Sequence, residues 1–273
     1  MQPIFFTIPK FLGIGPIPIH SYGVMIIVGF MAALWIARKR ATKFGLDAAK
    51  LSDMSFWALI AGIFGARIAF ILQELPYYLE HKDELFAWKF AGLTSFGGVI
   101  AGLGFIVFWT KRVGWSVRTV LDVVAPAGLV MHAIGRVGCL LNGCCYGGVC
   151  SANVPWAIHI DKIPAPMHPA QIYDALMNLA ALPFILWVEK RGQSKGQIFG
   201  LTLALHGLSR FIYEFWRAGT EAQVKANLAS STYWGSLPIT QAQAMAAALV
   251  IVGLALYVYW RHPAHSQQEL IAS

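Results

Sequence analysis

The feature that most constrains this sequence is a series of long apolar segments. A helix needs about 20 mostly apolar residues to cross roughly 30 Å of hydrocarbon, and such segments recur seven times in the 273 residues. Apolar residues make up 57% of the chain and charged residues only 12%, whereas soluble domains carry about 25% charged residues. We therefore predict an all-α, polytopic integral membrane protein with about seven transmembrane helices, at 20–38, 52–74, 95–111, 119–141, 169–189, 197–216 and 240–260.

The distribution of positive charge predicts the orientation. Most of the 21 Lys and Arg residues lie on one side of these spans, which the positive-inside rule makes cytoplasmic. The N-terminus is then outside, the C-terminus is cytoplasmic, and residues 1–273 form a single membrane domain with outer segments at 75–94, 142–168 and 217–239. The first residues lack a basic n-region and a signal cleavage site, so we expect the first span to be retained. We assign the net charge of +8 to contacts with anionic lipid and expect no nucleic-acid partner.

Three arginines fall inside predicted spans, namely Arg67, Arg136 and Arg210. A guanidinium at membrane depth usually faces a wet cavity or an anionic partner, and its planar fork of donors matches phosphate oxygens in pairs. The three together predict a site for an anionic headgroup. The alternative is that each arginine pairs with a nearby carboxylate, as Arg210 would with Glu214, and only holds helices together.

Two histidines stand four residues before two of these arginines. His132 precedes Arg136, and His206 precedes Arg210, so each pair shares one helix face. A neighbouring positive charge favours the neutral imidazole, which can act as a base. This spacing predicts acid/base groups beside the anion site. The alternative is that both imidazoles are held by hydrogen bonds with no catalytic role.

The segment GRVGCLLNGCCYG at 135–147 resembles the signature of the bacterial prolipoprotein diacylglyceryl transferases, commonly G-R-x-G-N-F-x-N-x-E-x-x-G. Further segments are similar to other motifs of this family and occur in the same order. They are HSYGVMIIVGF at 20–30, FGARIAFIL at 64–72, SFGGVIAG at 95–102, HPAQIYDAL at 168–176 and HGLSRFIYEFWR at 206–217. The resemblance therefore extends from about residue 18 to residue 217.

This resemblance implies a function. Members of the family have seven spans and transfer the diacylglyceryl group of phosphatidylglycerol to the lipobox cysteine thiol of a preprolipoprotein, releasing glycerol 1-phosphate. The implied partners are phosphatidylglycerol, the signal peptide with its lipobox, and membrane lipids. The implied location is the bacterial inner membrane. We expect a monomer that uses no metal and no organic cofactor.

The resemblance also implies which residues form the site. Arg136 and Arg210 match the principal functional arginines of the family and are expected to stabilise the phosphate leaving group. We expect Arg67 and the backbone amides of Gly97 and Gly98 to contribute to the headgroup site, although glycine-rich segments of this kind more often permit close helix packing. Other matched positions are expected to shape the substrate pockets: Tyr22, Asn142, Gly147, His168, Tyr173 and Glu214.

The sequence departs from the family pattern at catalytic positions. Phe96 stands where the third-span motif usually has a histidine, which is favoured as the base in the family. Cys139 and Cys144 replace the asparagine and the glutamate of the signature, and His206 replaces a tyrosine. Either His132 or His206 has taken over the role of the base, or the scaffold serves a related but different reaction. We favour the first explanation.

The four cysteines, at 139, 144, 145 and 150, have several interpretations. They can be buried or lipid-shielded thiols, or Cys144 and Cys150 can form a disulfide in an oxidising compartment. A reactive or redox role for Cys139, Cys144 or Cys145 is a third interpretation. A metal site is the least favoured, because structural zinc prefers two closely spaced ligand pairs.

Three hypotheses about function thus stand beside one another. The first is the lipoprotein-modifying transferase. The second is a membrane thiol enzyme that acts on another acceptor through Cys144 or Cys145. The third is a non-catalytic binder of anionic lipid on the same scaffold.

Overall fold

The protein is mostly helical. The computed structural model describes residues 2–9, 16–81, 94–160 and 163–261. Within these ranges the α-helices are α1 Ser21–Lys43, α2 Ala48–Gln73, α3 Leu75–Glu80, α4 Ser95–Val113, α5 Val117–Leu141, α6 Ala170–Glu189, α7 Gln197–Tyr213, α8 Glu221–Lys225 and α9 Gln241–Tyr259. A 3-10 turn, Glu214–Trp216, directly follows α7.

The helices confirm a polytopic membrane protein. Among the described residues, six helices are long and apolar enough to cross a membrane: α1, α2, α4, α5, α6 and α9. The predicted span at 197–216 corresponds to α7, which has 17 residues before the 3-10 turn. The orientation of the termini stays a prediction.

Short strands lie outside the long helices. Strands β1 Ile4–Ile8 and β2 Ile17–His20 pair antiparallel, as do β3 Ile158–Ile160 and β4 Ile163–Met167, while β5 Ala218–Gly219 and β6 Ser231–Thr232 pair parallel. The last two pairs fall in the predicted outer segments 142–168 and 217–239. Of the outer segment 75–94, residues 82–93 lie outside the described residues.

The contacts within the chain define two compact units. Unit 1 comprises residues 1–35 and 121–273, and unit 2 comprises residues 36–120. The single membrane domain expected from the sequence stays a prediction.

Unit 2 is built on close packing of α2 against α4. A Cβ atom added to Gly65 would lie 2.7 Å from the Gly97 carbonyl oxygen, and one added to Gly62 would lie 3.3 Å from the Gly98 carbonyl oxygen. Glycines on both helices therefore let the two backbones approach closely, as small residues do in membrane proteins.

Unit 1 contains a similar contact between α7 and α9. A Cβ atom on Gly253 would lie 2.5 Å from the Ala204 amide nitrogen and 2.7 Å from the Gly200 carbonyl oxygen. Real side chains do not tolerate such distances, so the two helices would have to move apart. The contact holds α7, which carries several residues of the site described below.

We expect Gly253→Ala to destabilise the protein. Overpacking a close contact typically costs about 1–3 kcal/mol, so the thermal unfolding temperature in detergent should fall. Gly104→Ala in α4 is the matched control, because a Cβ atom there meets nothing within 4 Å and alanine favours a helix over glycine. An unfolding temperature for Gly253→Ala equal to that of the Gly104→Ala control would contradict this packing.

A buried carboxylate joins the starts of α5 and α7. Asp122 accepts hydrogen bonds from the Gly196 amide at 2.6 Å and from the Phe199 amide at 2.8 Å. These amides belong to the first turn of α7 and lack partners within the helix. Because Asp122 also lies near the start of α5, the two helices begin at the same end of unit 1.

Candidate active site

The directions of three helices bring polar side chains to one level of unit 1. Asp122 joins the starts of helices α5 and α7. Arg136 lies five residues before the carboxyl end of α5, and Arg210 lies in the last turn of α7. Asp174 lies in the second turn of α6. Its carboxylate accepts hydrogen bonds from side chains of both α5 and α7. The sequence thus places cationic groups on α5 and α7 and a carboxylate on α6 at a common level.

Asp174 is the acceptor at the centre of this site. Its Oδ2 atom accepts hydrogen bonds from Arg136 Nε at 2.6 Å and from His132 Nε2 at 2.9 Å, and its side chain is fully buried. Since a carboxylate only accepts, this hydrogen bond requires a proton on His132 Nε2, and in the neutral imidazole Nδ1 then carries the lone pair. Arg136 Nε also lies 3.4 Å from His132 Nε2, as expected for residues on one helix face.

The other oxygen of Asp174 extends the network to α7. Oδ1 accepts hydrogen bonds from Asn178 Nδ2 at 2.8 Å and from Ser209 Oγ at 3.0 Å. The Asn178 Oδ1 atom in turn accepts from His206 Nδ1 at 2.8 Å. The rings of His132 and His206 meet edge to face with centroids 4.8 Å apart. A single hydrogen-bonded network therefore connects both predicted histidines.

Three guanidinium groups surround the buried ring of Tyr213. The guanidinium carbons of Arg136, Arg210 and Arg217 lie 5.3, 4.4 and 5.4 Å from the ring centroid. The Tyr213 hydroxyl also accepts hydrogen bonds from Arg136 Nη2 at 3.3 Å and from Arg217 Nη1 at 3.0 Å. The negative face of the aromatic ring offsets part of the repulsion between these cations.

Glu214 is the second carboxylate of the cluster. Its Oε2 atom lies 3.0 Å from Arg210 Nη1 and 3.2 Å from Arg217 Nη1, so the pair named as an alternative interpretation of Arg210 is present. The Oε1 atom is buried and has no hydrogen-bond partner among the described residues. Unpaired buried polar atoms are rare and often mark functional sites.

The charges of this cluster do not cancel. Three arginines share two carboxylates, Asp174 and Glu214, which leaves one positive charge in excess. Each guanidinium has five N–H donors, and the contacts described above use only some of them. The cluster can therefore bind an anion with several oxygen atoms.

Three cysteines gather at the carboxyl end of α5. The Sγ atoms of Cys139, Cys144 and Cys145 all lie within 4.8 Å of one another, and the four cysteines of the chain, all within the described residues, are free thiols. The guanidinium groups of Arg136 and Arg217 are close enough to Cys145 to stabilise a negative charge on its sulfur atom. Hydrogen bonds from the neighbouring thiols, together with these cations, lower the pKa of the Cys145 thiol.

Two further predicted residues adjoin the thiols. The Tyr22 side chain in α1 lies within electrostatic range of all three cysteines, and a Cβ atom on Gly138 would meet its ring at 3.3 Å. The side chain of Asn142 forms a hydrogen bond with Cys144. The structure therefore brings Tyr22 and Asn142 to the thiol end of the site.

Another group of predicted residues lies in and beside the predicted outer segment 142–168. The His168 carbonyl accepts from the Gly147 amide at 2.8 Å, and a Cβ atom on Gly147 would lie 2.6 Å from the Trp216 carbonyl oxygen, so only glycine fits. The Tyr173 hydroxyl accepts from Trp156 Nε1 at 2.7 Å and contacts His168 Nδ1 at 3.1 Å. Burial lowers the pKa of His168. His168 also lines a partly open pocket of about 180 Å³ with Trp216 and Leu228.

Arg67, Gly97 and Gly98 belong to unit 2. The Arg67 guanidinium carbon lies 5.5 Å from the ring centroid of Tyr78. The Gly98 amide donates to the Thr94 carbonyl at 3.3 Å, and both glycines lie in the α2–α4 contact described above. Close helix packing accounts for the glycines, and substrate binding by these three residues stays a prediction. Phe96, at the position where the sequence comparison with the family motif expected a histidine, is 57% exposed.

Several members of the site were not among the residues predicted from the sequence. Asp174, in the motif HPAQIYDAL, follows the predicted Tyr173, and a carboxylate within a predicted span was a usable signal. Arg217 was assigned to the outer segment, although it follows Glu214 by three residues. Nothing in the sequence distinguishes the remaining members, Asn178, Ser209 and Tyr213, from ordinary helix residues.

Comparison with known proteins adds an independent observation. The family model described as prolipoprotein diacylglyceryl transferase matches residues 9–259. A phosphatidylglycerol–prolipoprotein diacylglyceryl transferase of Pseudomonas paraeruginosa is 34% identical over 258 residues, covering 92% of this chain and 92% of its own length. Proteins of the same name from Vibrio vulnificus and Clostridium tetani are 31% and 30% identical, covering 96% and 82% of this chain and 94% and 88% of their own lengths.

The match includes the helices that carry the arginine cluster and continues through nearly the whole chain. The chain therefore belongs to the prolipoprotein diacylglyceryl transferase family.

Proposed function

We propose that this protein transfers the diacylglyceryl group of phosphatidylglycerol to the lipobox cysteine thiol of a prolipoprotein and releases glycerol 1-phosphate. The observation that carries this proposal is the arrangement of Arg136, Arg210 and Arg217 around Tyr213 with one positive charge in excess. The names of the relatives supply the substrate pair.

Arg136 and Arg210 stabilise the leaving phosphate in this proposal. As the thiol attacks the glycerol carbon, the carbon–oxygen bond breaks, and negative charge grows on the phosphate oxygens. Preorganised cations aimed at developing charge lower the barrier most effectively in a site that excludes water. Asp174 and Glu214 hold the two guanidinium groups in place, so little reorganisation is needed during the reaction.

His132 is the base in this proposal. Its Nε2 atom is held by Asp174, the Nδ1 atom of the neutral ring carries the lone pair that accepts a proton, and its side chain is 28% exposed. A carboxylate that fixes the tautomer and stabilises the imidazolium is the arrangement used by many His bases. His206 reaches Asp174 only through Asn178, so we assign it the role of packing against His132 and supporting its position.

The remaining predicted residues divide between the two substrates. Tyr22 and Asn142, near the thiols, are proposed to contact phosphatidylglycerol. Arg67, Gly97 and Gly98 of unit 2 are proposed to bind an anionic lipid headgroup. Gly147, His168 and Tyr173, near the pocket in the outer loop, are proposed to contact the acceptor peptide, and Glu214 is proposed to orient Arg210. The protein then works as a monomer in the bacterial inner membrane, with its N-terminus outside.

A thiol-dependent enzyme acting on another acceptor is the second candidate function. It is favoured by the contact among the Sγ atoms of Cys139, Cys144 and Cys145. The two functions differ in their products, because only the transferase converts phosphatidylglycerol to glycerol 1-phosphate and a thioether-linked peptide.

Complementation tests the proposed function. In a bacterium whose own diacylglyceryl transferase is repressed, this chain should restore growth and the lipid-dependent mobility shift of a reporter lipoprotein. Arg191→Lys should complement equally well, because Arg191 stacks on Trp187 outside the site, whereas Arg210→Ala should not. Failure of the membrane-inserted wild-type chain to modify the reporter would overturn the proposal.

A further inference from the structure

The three contacting thiols form a feature that the proposed reaction does not yet use. Cys139 lies in the last turn of α5, and Cys144 and Cys145 lie in the turn that follows. All three Sγ atoms lie within 4.8 Å of one another. Three thiols in mutual contact cannot all pair in one disulfide, because one sulfur would always remain.

The spacing of the thiols fits a thiophilic metal ion. Zinc–sulfur bonds of about 2.3 Å in a tetrahedron place the sulfur atoms about 3.8 Å apart. Small rotations of the cysteine side chains, which move each Sγ atom by about 1 Å or less, would bring the sulfur atoms to this separation. The preference for two ligand pairs applies to closed structural sites, whereas a site with three protein ligands keeps its fourth position open.

The backbone of the turn is shaped to hold these side chains. Gly143 has a φ of 70° and Cys145 a φ of 61°, a left-handed conformation that residues other than glycine rarely adopt and that often marks a functional position. The Cys144 amide donates to the Cys139 carbonyl at 3.1 Å. The fully buried Gln171 donates from Nε2 to the Cys144 carbonyl at 2.7 Å.

The surrounding charges suit a metal–thiolate group. Three thiolates and one Zn²⁺ ion carry one net negative charge. The guanidinium groups of Arg136 and Arg217 lie within electrostatic reach of Cys145 and can balance this charge inside the membrane protein. The hydrogen bond from Asn142 to Cys144 supports the position of one ligand.

We propose that Cys139, Cys144 and Cys145 bind one Zn²⁺ ion whose fourth coordination position accepts the thiol of the acceptor peptide. The second half of this statement rests on the proposed function, and the first half does not. The cluster would then supply, by metal coordination, part of the thiol activation that the family resemblance assigns to a histidine at the position of Phe96.

The chemistry of the step balances with this ion. The peptide thiol binds Zn²⁺ and gives its proton to water, since coordination makes a thiol far more acidic. A sulfur electron pair forms the carbon–sulfur bond to the glycerol carbon. The carbon–oxygen bond breaks, and its electron pair stays on the phosphate of the leaving glycerol 1-phosphate. The zinc ion is not oxidised or reduced.

Metal analysis of the full-length protein in detergent tests the site without measuring activity. We expect about one zinc per chain in wild type, the stoichiometry of a single three-thiolate site. Replacing the zinc with Co²⁺ should give a sulfur-to-cobalt charge-transfer absorption. Cys144→Ala and Cys145→Ala should lose both signals. Cys150→Ala is the matched control and should keep them, because Cys150 is a buried thiol outside the cluster.

A second measurement tests the open position. A lipobox peptide should change the visible spectrum of the cobalt protein, and the same peptide with serine in place of cysteine should not. Absence of zinc and of any cobalt–sulfur absorption in protein with four reduced thiols would overturn the site. A protein mass lower by two hydrogens, which indicates a disulfide, would also overturn the site. Zinc content in Cys144→Ala and Cys145→Ala equal to that of wild type would overturn it as well.

The failures of the two proposals are distinguishable. Zinc binding without diacylglyceryl transfer would support the site and contradict the proposed function. Transfer by protein that binds no metal would support the function and contradict the site. A cobalt spectrum that ignores the cysteine peptide would contradict the open position.

Discussion

Arg136→Lys is expected to lower kcat/KM for diacylglyceryl transfer by about 10²–10³-fold, the usual effect of removing one preorganised donor from developing charge. Lysine keeps the positive charge but lacks the planar fork. It therefore loses the arrangement in which Arg136 Nε binds Asp174 and Nη2 binds the Tyr213 hydroxyl. The measurement is a steady-state assay with phosphatidylglycerol in mixed micelles.

The controls separate this effect from misfolding. Arg191→Lys, outside the site on the face of Trp187, should retain wild-type activity, and the unfolding temperature of Arg136→Lys should stay close to that of wild type. Activity of Arg136→Lys within twofold of wild type would mean that charge alone suffices. The bidentate role assigned to Arg136 would then be wrong.

His132→Ala should lower kcat by about 10²–10⁴-fold, the range for loss of a general base, with a smaller change in KM. His206→Ala should have a weaker effect, because His206 supports the base through Asn178. His159→Ala is the matched control, since that exposed histidine lies in the outer strand β3. A larger fall in kcat for His206→Ala than for His132→Ala would indicate that His206 is the base and that His132 supports it.

Asp174 acts as a positioning residue for the same base. In Asp174→Asn the shape of the side chain is kept, but the negative charge that holds His132 and Arg136 is lost. We expect kcat to fall with a smaller change in KM, because a neutral amide no longer stabilises the imidazolium that forms when His132 takes a proton. A raised KM with kcat unchanged would contradict this role.

Much of the fold was predictable because membrane spans depend on length and apolar composition. Six of the predicted spans correspond to helices that can cross a membrane. The short strands of the outer segments were not predicted, since two- to five-residue pairings depend on which distant segments meet. The two compact units were not predicted either, because amino-acid composition does not change at their boundaries.

The site was predictable only where charge stands out against an apolar background. Arg136, Arg210 and both histidines were found in this way, and the structure joins them in one network. Asp174 and Tyr213 at its centre were missed, because their importance depends on the meeting of α5, α6 and α7. The cysteines were recognised as unusual, but their mutual contact depends on the left-handed turn at Cys145.

A direct assay of the purified protein tests the central claim, that the protein transfers a diacylglyceryl group and that its arginine cluster is required for the transfer. The protein is incubated in detergent with phosphatidylglycerol and a lipobox peptide, and the peptide mass and the released glycerol 1-phosphate are both measured. We predict a peptide heavier by one diacylglyceryl unit, an equal amount of glycerol 1-phosphate, and loss of both with Arg136→Ala or Arg210→Ala. A folded protein that forms neither product, from substrates that a relative with the usual signature accepts, would contradict the account.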